Sequence, residues 1–221
     1  MPGSLTELPP PAIEGHRPGG IGSPDHPMRI MTRRAAGLHP GGWDDGARAE
    51  VVAYFDALAP DWQATRTSPA RTQVVADVLA RGLPTDLAAG EVCVELGSGT
   101  GAYTPLLAER WRHVLATEVA WEMSIRAPAD IGHRILADGS RLPLRAGRAD
   151  AVVLVNCFLF PAEVARVLAP DGIVVWVNSS GAQTPIHLPA DDVVAALPGQ
   201  WTGVHSDAGI ATWCVLRRSP A

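Results

Sequence analysis

The chain has 221 residues, of which 47% are hydrophobic and 19% are charged, a composition that suits one globular domain with a substantial core. Its formal net charge of −5 disfavours a protein that binds nucleic acid through the phosphate backbone, because such proteins use clustered Lys and Arg. No apolar run approaches the roughly 20 residues that cross a bilayer, and the N-terminus lacks the pattern of a secretory signal. We therefore expect a cytoplasmic protein without a membrane span.

Three cysteines, Cys93, Cys157 and Cys214, lie in apolar surroundings on or near predicted strands. Their odd number and wide spacing favour reduced, buried thiols over a disulfide framework or a zinc site. This usage agrees with a cytoplasmic location. The sequence offers no candidate metal ligands.

The first 42 residues are rich in Pro and Gly. This composition predicts a disordered tail over residues 1–42 that contains no regular element. Helical spacing begins after it: Asp44 or Asp45 caps a helix through Leu58, and Ser68-Pro69 opens a second helix. Residues 43–84 therefore form a helical segment ahead of the first central strand.

From residue 92 onward, strand-like and helix-like segments alternate. Apolar runs such as 151–155 and 173–177 suit strands that are buried on both faces of a parallel sheet. Near the C-terminus the runs 201–206 and 210–216 are too close for a parallel crossover, so they predict an antiparallel hairpin. The fold expected over residues 85–221 is α/β and doubly wound, with a mostly parallel seven-stranded sheet that ends in this antiparallel C-terminal hairpin.

A glycine-rich turn follows the first of these strands, in the sequence Glu95-Leu96-Gly97-Ser98-Gly99-Thr100-Gly101. Glycines between a strand end and a helix start allow the backbone to approach a ligand closely, and this is where α/β sheets bind nucleotide-like molecules. The spacing differs from the dinucleotide fingerprint, since position 102 is alanine. The turn also lacks the lysine that a phosphate-binding loop carries.

Polar residues follow the later strands at the same edge of the sheet. Glu118 ends the strand at 113–118, where a carboxylate either accepts hydrogen bonds from ribose hydroxyls or caps the next helix. Asp138-Gly139 follows the third strand, and Asp-Gly is also a common turn sequence. Asn156 ends the strand at 150–155, where it could orient a ligand or cap the strand end.

These residues, taken in order, resemble the motifs of class I S-adenosylmethionine-dependent methyltransferases. The resemblance covers residues 91–180 and includes the stretch from Glu163 to Gly172, in which Asp171 stands where glycine is frequent. It implies a Rossmann-like fold, S-adenosyl-L-methionine as the cofactor, and contacts of Glu118 with the ribose and of Asp138 with the adenine. The cofactor-binding residues that it implies are Glu95, Gly97, Ser98, Gly99, Gly101, Glu118, Asp138, Gly139 and Asn156.

A shorter stretch, residues 54–62, is similar to the ubiquinone/menaquinone-biosynthesis type of these methyltransferases. This similarity implies that residues 43–84 form a helical lid over the cofactor and supply contacts to the substrate.

Methyl transfer requires mainly that the acceptor and the methyl group be held in line, and a general base is needed only where the acceptor must lose a proton. The two candidate catalytic residues are His187, in a loop after the strand at 173–178, and Asn156. His187 is equally well interpreted as a loop histidine packed against a proline.

The sequence thus predicts a metal-independent methyltransferase that acts on a small-molecule acceptor and binds no nucleic acid, and it leaves open whether the chain forms a homodimer. Two alternatives stay open. A nicotinamide-dependent oxidoreductase would share the ribose-binding acid and a glycine turn, but the glycine spacing and the terminal hairpin disfavour it. A non-catalytic S-adenosylmethionine-binding regulatory protein would explain the small number of candidate catalytic residues.

Overall fold

The computed structural model describes residues 4–10, 22–85, 90–207 and 211–219. Its strands are β1 (Leu5–Glu7), β2 (Val92–Leu96), β3 (His113–Glu118), β4 (His133–Leu136), β5 (Ala149–Val155), β6 (Leu168–Asn178), β7 (Trp201–Asp207) and β8 (Thr212–Arg218). Its α-helices are α1 (Pro27–Ala35), α2 (Asp45–Leu58), α3 (Trp62–Arg66), α4 (Pro69–Asp77), α5 (Thr104–Ala108), α6 (Trp121–Ser124), α7 (Pro161–Val167) and α8 (Ala190–Ala196). A π-helical turn, Val78–Gly82, continues α4, and 3-10 turns lie at Ala59–Asp61 and Gly181–Gln183.

The strands form one sheet in the order β1-β7-β8-β6-β5-β2-β3-β4. Strand β8 is antiparallel to both of its neighbours, β6 and β7, and every other adjacent pair is parallel. This confirms the doubly wound, mostly parallel sheet with its antiparallel hairpin. The strand number differs from the expectation, because β1 adds an eighth strand that pairs with β7 and places Leu5 opposite Gly203.

The N-terminal segment differs from the sequence prediction. A tail without regular structure is wrong for the described part of residues 1–42, which contains β1 and the nine-residue helix α1. Met28 and Met31 on α1 are 2% and 3% exposed, so this helix belongs to the core. Residues 1–3 and 11–21 of the predicted tail lie outside the described residues.

The helices that follow begin where capping chemistry predicts. The Asp44 carboxylate accepts a 2.8 Å hydrogen bond from the Ala47 N–H at the start of α2. Ser68 caps α4 in the same way and is followed by Pro69 in the first turn. Within the described ranges, no helix combines the length and the apolar character needed to cross a membrane.

The sheet is buried on both faces, as the uninterrupted apolar strands predict. Val152 and Leu154 of β5 pack on one face, with α1, α2, α7 and α8. Ala151 and Val153 alternate with them and pack on the other face, with α4 and α5. Such two-sided burial fixes the register of each strand, and it brings the carboxyl ends of β2, β3 and β5 to one edge of the sheet.

Candidate active site

A cavity of about 410 Å³ opens at the carboxyl ends of β2, β3 and β5. Its volume lies within the range of about 300–1,000 Å³ that is typical of ligand pockets. The strand ends and their loops supply one wall, formed by residues 96–100, 102–103, 117–119, 137, 139, 155–158 and 160. The N-terminal helices, α6 and the loop after β6 supply the rest: His26, Met28, Trp43, Val51, Tyr54, Phe55, Leu58, Trp62, Arg66, Thr67, Arg71, Met123, Ser180, Gln183, Thr184, Pro185 and Ile186.

The turn after β2 carries three glycines with positive φ, Gly97 (70°), Gly99 (55°) and Gly101 (75°). The N–H groups of Gly97 and Ser98 both donate to the Thr117 carbonyl at 2.9 Å, which holds the turn against β3. A Cβ at position 97 would overlap the Cys157 thiol, whereas a Cβ at position 99 would meet no atom within 4 Å. Packing therefore requires glycine at 97, and Gly99 borders open space in the cavity.

Glu118 lines the cavity at the end of β3 and accepts three backbone hydrogen bonds. Its Oε2 accepts from the Gly99 N–H, and its Oε1 accepts from the N–H groups of Val119 and Ala120, each at 2.8 Å. Burial raises the pKa of this carboxyl, although the three N–H donors oppose the shift. Because a carboxylate accepts about four hydrogen bonds, Glu118 is held in one orientation and can still accept from a ligand.

Glu95 lies beneath the cavity and does not line it. Its carboxylate is 2% exposed and accepts a 2.5 Å hydrogen bond from Thr104 Oγ1 at the start of α5. Burial, opposed by this hydrogen bond and reinforced by the charge of Glu118, raises the pKa of Glu95 to about 7. Gly101 also lies outside the cavity wall, against Ala127. Both residues therefore support the glycine turn from behind.

Asp138 follows β4 and does not line the cavity, although the adjacent Ala137 and Gly139 do. Its carboxylate accepts from the Ser140 N–H at 2.8 Å and from Trp43 Nε1 at 3.3 Å. Arg48 Nε lies 3.8 Å from the same carboxylate. The Asp138 carboxylate is thus engaged by donors within the chain, and its contact with the adenine stays a prediction.

Trp43 forms the cavity wall at this end, and the sequence reasoning did not identify it. Its ring centroid lies 4.9 Å from that of Phe160 in an edge-to-face arrangement and 5.7 Å from that of Phe158. All three rings line the cavity. Trp43 follows the Pro/Gly-rich segment and has no periodic apolar partners, so the sequence carries no signal of its position.

Asn156 lines the cavity at the end of β5 and, at φ 49°, is the single non-glycine residue with positive φ in the described ranges. Its Nδ2 donates to Ser179 Oγ at 2.8 Å, and its Oδ1 accepts from the Ser179 N–H at 2.9 Å. Both ends of the amide are therefore used to join β5 to β6. An amide so engaged positions the wall and accepts no proton from a substrate.

His187, the other candidate catalytic residue, lies outside the cavity wall. Burial and the neighbouring Arg29 guanidinium lower its pKa to about 4, so the imidazole is neutral at pH 7. Arg29 donates to the carbonyls of Ala182 and Thr184 at 2.6 and 2.7 Å and joins α1 to the loop after β6. The structure therefore brings Asn156 into the cavity and leaves His187 behind its wall.

The cavity wall contains further polar residues that the sequence reasoning missed, among them Arg66, Arg71 and Tyr103. The Ser68-Pro69 cap predicted where α4 begins, but nothing in the sequence indicates which of its neighbours face a cavity. Among the described residues, no group of three or more His, Cys, Asp or Glu side chains is arranged to hold a metal ion.

Residues 94–176, from β2 into β6, match the family model of a methyltransferase domain. This stretch contains the glycine turn, Glu118 and Asn156, and the sheet around it has the predicted single reversed strand. The chain therefore contains a methyltransferase domain. No protein of curated function matches its sequence.

Solved structures share the methyltransferase fold at low sequence identity. DhpI in its complex with SAH superposes with a TM-score of 0.63 at 20% identity, over 81% of this chain and 100% of DhpI. A SAM-dependent methyltransferase from Aquifex aeolicus gives 0.53 at 15% identity, over 75% of this chain and 97% of the other. A chain of the Haloferax volcanii complex with the Trm112 methyltransferase activator matches over 56% of this chain and 59% of that one, at 22% identity; its TM-score of 0.48 does not establish a shared fold.

The donor set of the cavity fits the methyl donor of these methyltransferases. S-Adenosylmethionine carries a ribose, a carboxylate and an ammonium group but no phosphate. In agreement, the turn 97–101 offers backbone N–H groups without an adjacent lysine, and Glu118 offers an oriented carboxylate for hydroxyl donors.

Proposed function

We propose that this methyltransferase transfers the methyl group of S-adenosyl-L-methionine to a small-molecule acceptor in line and without a metal ion. The observation that carries the proposal is the continuity of the cavity. One space joins the glycine turn and Glu118 to the aromatic and basic side chains of the N-terminal helices. Two ligands can therefore meet inside one walled volume.

In this proposal the residues of the strand ends hold the cofactor. Glu118 accepts from the ribose hydroxyls, while Gly97, Ser98 and Gly99 face the methionine half. Gly139 borders the purine. Glu95 and Gly101 stabilise the turn from outside the cavity, and Asp138 acts through Trp43.

When bound, the cofactor supplies a methyl group already activated on a sulfonium. The protein has to position the acceptor and keep water away. Asn156 fixes the ends of β5 and β6 beside the acceptor space, and Phe55, Trp62 and Met123 give the cavity an apolar wall. We assign no proton transfer to His187, because it lies outside that wall.

Residues 43–84 act as the lid in this proposal. Gln63 Nε2 on α3 donates to Thr100 Oγ1 in the glycine turn at 2.9 Å. Asp56 on α2 accepts from the Glu122 N–H at the start of α6 at 2.8 Å. The two hydrogen bonds hold the lid against both sides of the cofactor end, so movement of α2 and α3 would open the cavity.

A small acceptor is favoured over a macromolecule because the helices cover the cavity and the chain carries net negative charge. Structures of DhpI, which shares this fold at 20% identity, hold SAH, or SAM with HEP. The proposal includes a reducing, cytoplasmic compartment, since Cys93, Cys157 and Cys214 are all buried free thiols. One chain supplies every described wall of the cavity, so the site needs no second copy to be complete.

The experiment is calorimetric titration of the full chain with S-adenosylmethionine, S-adenosylhomocysteine and NAD. We expect micromolar binding of the two sulfur nucleosides and none of NAD. The bound protein is then supplied with methyl-labelled cofactor and a panel of small phenols, amines and acids, with and without EDTA. Binding of NAD alone would favour an oxidoreductase, and cofactor binding without transfer to any class would favour a regulatory protein. Loss of transfer in EDTA would contradict the metal-free mechanism.

A further inference from the structure

Strand β4 is the last strand of the sheet beyond β3, and its outer edge pairs with no strand in the described part of the chain. The Ala137 N–H donates to the Glu118 carbonyl on β3 at 2.8 Å. Because the backbone groups of alternate residues point the same way, Ile135 also faces β3, whereas Arg134 and Leu136 present their N–H and C=O groups to the free edge. The strand contains neither Pro nor Lys, which commonly block a sheet edge, so this edge is open to a further strand.

The side chains beside this edge are apolar and exposed. Among the described residues, five large hydrophobic side chains are exposed, and three of them lie here: Trp121 is 56%, Ile125 is 49% and Leu136 is 52% exposed. Trp121 begins α6 and Ile125 follows its end, so the two share one side of the helix. The opposite side carries Met123, which is buried against the lid. The exposed side of α6 is therefore without a packing partner among the described residues.

An arginine joins β4 to α6. Arg134 Nη1 donates to the carbonyls of Ala127 and, at 3.0 Å, of Ser124. Leu136 lies two residues further along the strand, so its side chain points to the same face of the sheet as Arg134 does, the face of α6. These parts form one patch, here called the β4 surface, which consists of the free edge of β4, Trp121, Ile125 and Leu136.

The β4 surface is neutral, although the whole chain has a formal net charge of −5. Residues 121–136 contain as many acids as arginines: Glu122, Asp130, Arg126 and Arg134. Two copies of an acidic chain repel each other least where neutral faces meet, and a strongly charged partner would find no excess of opposite charge here. The charges therefore favour a second copy of this chain over a nucleic acid or a charged peptide.

The backbone of β4 is complementary to a second copy of itself. In an antiparallel pair about a two-fold axis, Arg134 of one copy lies opposite Leu136 of the other, and opposed residues of this kind exchange both of their N–H···O bonds. This register pairs every outward N–H and C=O group of the two residues in both copies. A register with Arg134 opposite its own copy would bring like charges together. The contact uses the same surface twice and so closes as a dimer.

We propose that the β4 surface is the interface of a homodimer. The β4 strands of the two copies pair antiparallel and continue the sheet, while Trp121, Ile125 and Leu136 are buried between the copies. The interface lies beside each cavity, since Leu136 is opposite Glu118 in the pairing of β4 with β3. The proposal does not depend on the proposed function, because the described wall of each cavity comes from one chain.

The test is sedimentation equilibrium of the full chain over the micromolar range, with Leu136→Lys and Trp121→Lys beside the wild type. We expect the wild-type chain to dimerise and each Lys variant to weaken the dimer by about ten-fold or more, because an ammonium group replaces an apolar contact in both copies. Ile30→Lys is the matched control, since Ile30 is 37% exposed on α1 and lies outside both the β4 surface and the cavity wall. Circular dichroism verifies that each variant is folded.

Hydrogen exchange resolved to single amides tests the strand pairing itself. We expect the amides of Arg134 and Leu136 to exchange more slowly as the concentration of the wild-type chain rises, and to exchange fast in Trp121→Lys. The Ile135 amide faces β3, so its exchange should be the same in the monomer and the dimer. The concentration series uses the unaltered chain, so it decides the question even where a Lys variant does not fold.

A wild-type chain that stays monomeric at the highest concentration overturns the proposal. A dimer that both Lys variants leave intact, or one in which the Arg134 and Leu136 amides exchange fast, also overturns it, because the copies then meet at another surface. Slow exchange of these two amides in a monomer would show that a segment of the same chain covers the edge, and the proposal would be wrong in that case too.

Discussion

Glu118 and Asp138 lie at the ends of neighbouring strands of the sheet, yet their carboxylates have different surroundings and different hydrogen-bond partners. Glu118 faces the cavity with both oxygens held by backbone N–H groups. Asp138 is engaged by the Trp43 indole and does not reach the cavity wall. A motif position alone therefore did not determine the role of the side chain, because the partner of Asp138 comes from 95 residues earlier in the chain.

Glu118→Gln should weaken the binding of S-adenosylhomocysteine by about ten- to a hundred-fold. The substitution replaces charge-assisted hydrogen bonds, which contribute about 1.5–3 kcal/mol, with neutral ones. The measurement is calorimetric titration, with Glu122→Gln as the control, because the Glu122 carboxylate pairs with Arg126 outside the cavity. Thermal melting of the same samples separates lost binding from lost folding, since Glu118 also accepts the Val119 and Ala120 N–H groups. Unchanged affinity would remove the ribose contact from the proposal.

Trp43→Phe should weaken the binding of S-adenosylhomocysteine and of S-inosylhomocysteine by the same factor, about three- to ten-fold. The factor is the same because stacking of a base against an aromatic ring does not distinguish an amino group from an oxo group. Asp138→Ala should have the same non-selective effect, since it acts by freeing the Trp43 ring. If Asp138→Ala instead weakens only the adenine compound, Asp138 contacts the base directly. Calorimetry with both compounds on both variants distinguishes the two cases.

Helix α1 shows how tertiary packing overrides a local composition signal. It lies in a Pro/Gly-rich segment, and its apolar residues near the core, Met28 and Met31, are too few to give a clear period. Its Pro27 start and the His26 cap are local, but its burial depends on strands far along the chain. The position of Trp43 was not predictable for the same reason, since it too depends on distant residues. Strands β2, β5 and β6 were predictable, because runs of β-branched residues are buried in a parallel sheet.

Met31→Ala should lower the free energy of unfolding by about 2–5 kcal/mol, as for other buried methionines. Its neighbour Ile30 is 37% exposed, so Ile30→Ala should cost about 0.5 kcal/mol or less. Urea unfolding followed by circular dichroism measures both. Equal, small effects would show that α1 does not contribute to the core in solution.

The elements that build the site were thus partly predictable. The glycine turn, Glu118 and Asn156 were placed correctly at the sheet edge because each follows a strand whose pattern is strong. Arg66, Arg71 and Tyr103 were not, since their exposure to the cavity depends on how α3 and α4 pack beside the start of α5. Sequence periodicity gives the buried face of an element but not what its other residues meet.

At the scale of the whole molecule, the two buried carboxyls at the cavity, Glu95 and Glu118, link stability to pH. Burial raises the pKa of Glu95 to about 7 and that of Glu118 in the same direction. Because the folded state holds these protons more tightly than the unfolded state does, the contribution of these two groups to stability is fully present below the unfolded value of 4.5 and falls as the pH rises towards 7.

Glu95→Gln should remove this dependence for one group. As the pH rises from 4.5 to 7, the wild-type chain should lose up to about 3 kcal/mol of unfolding free energy relative to the variant. Above pH 7 the difference between the two should stay constant. Urea titrations at intervals of half a pH unit measure it. A difference that does not change with pH would mean that Glu95 is ionised in the folded chain throughout this range.

Strand β1 pairs residues 5–7 with residues 203–205 of β7. During synthesis, β1 leaves the ribosome long before β7 has been made. Helix α1 likewise emerges before the strands on which Met28 and Met31 pack. The segment that carries Trp43 therefore stays without its final neighbours until most of the chain has emerged. Because contacts so distant along the chain form slowly, we expect the Trp43 side of the cavity to be completed late in folding.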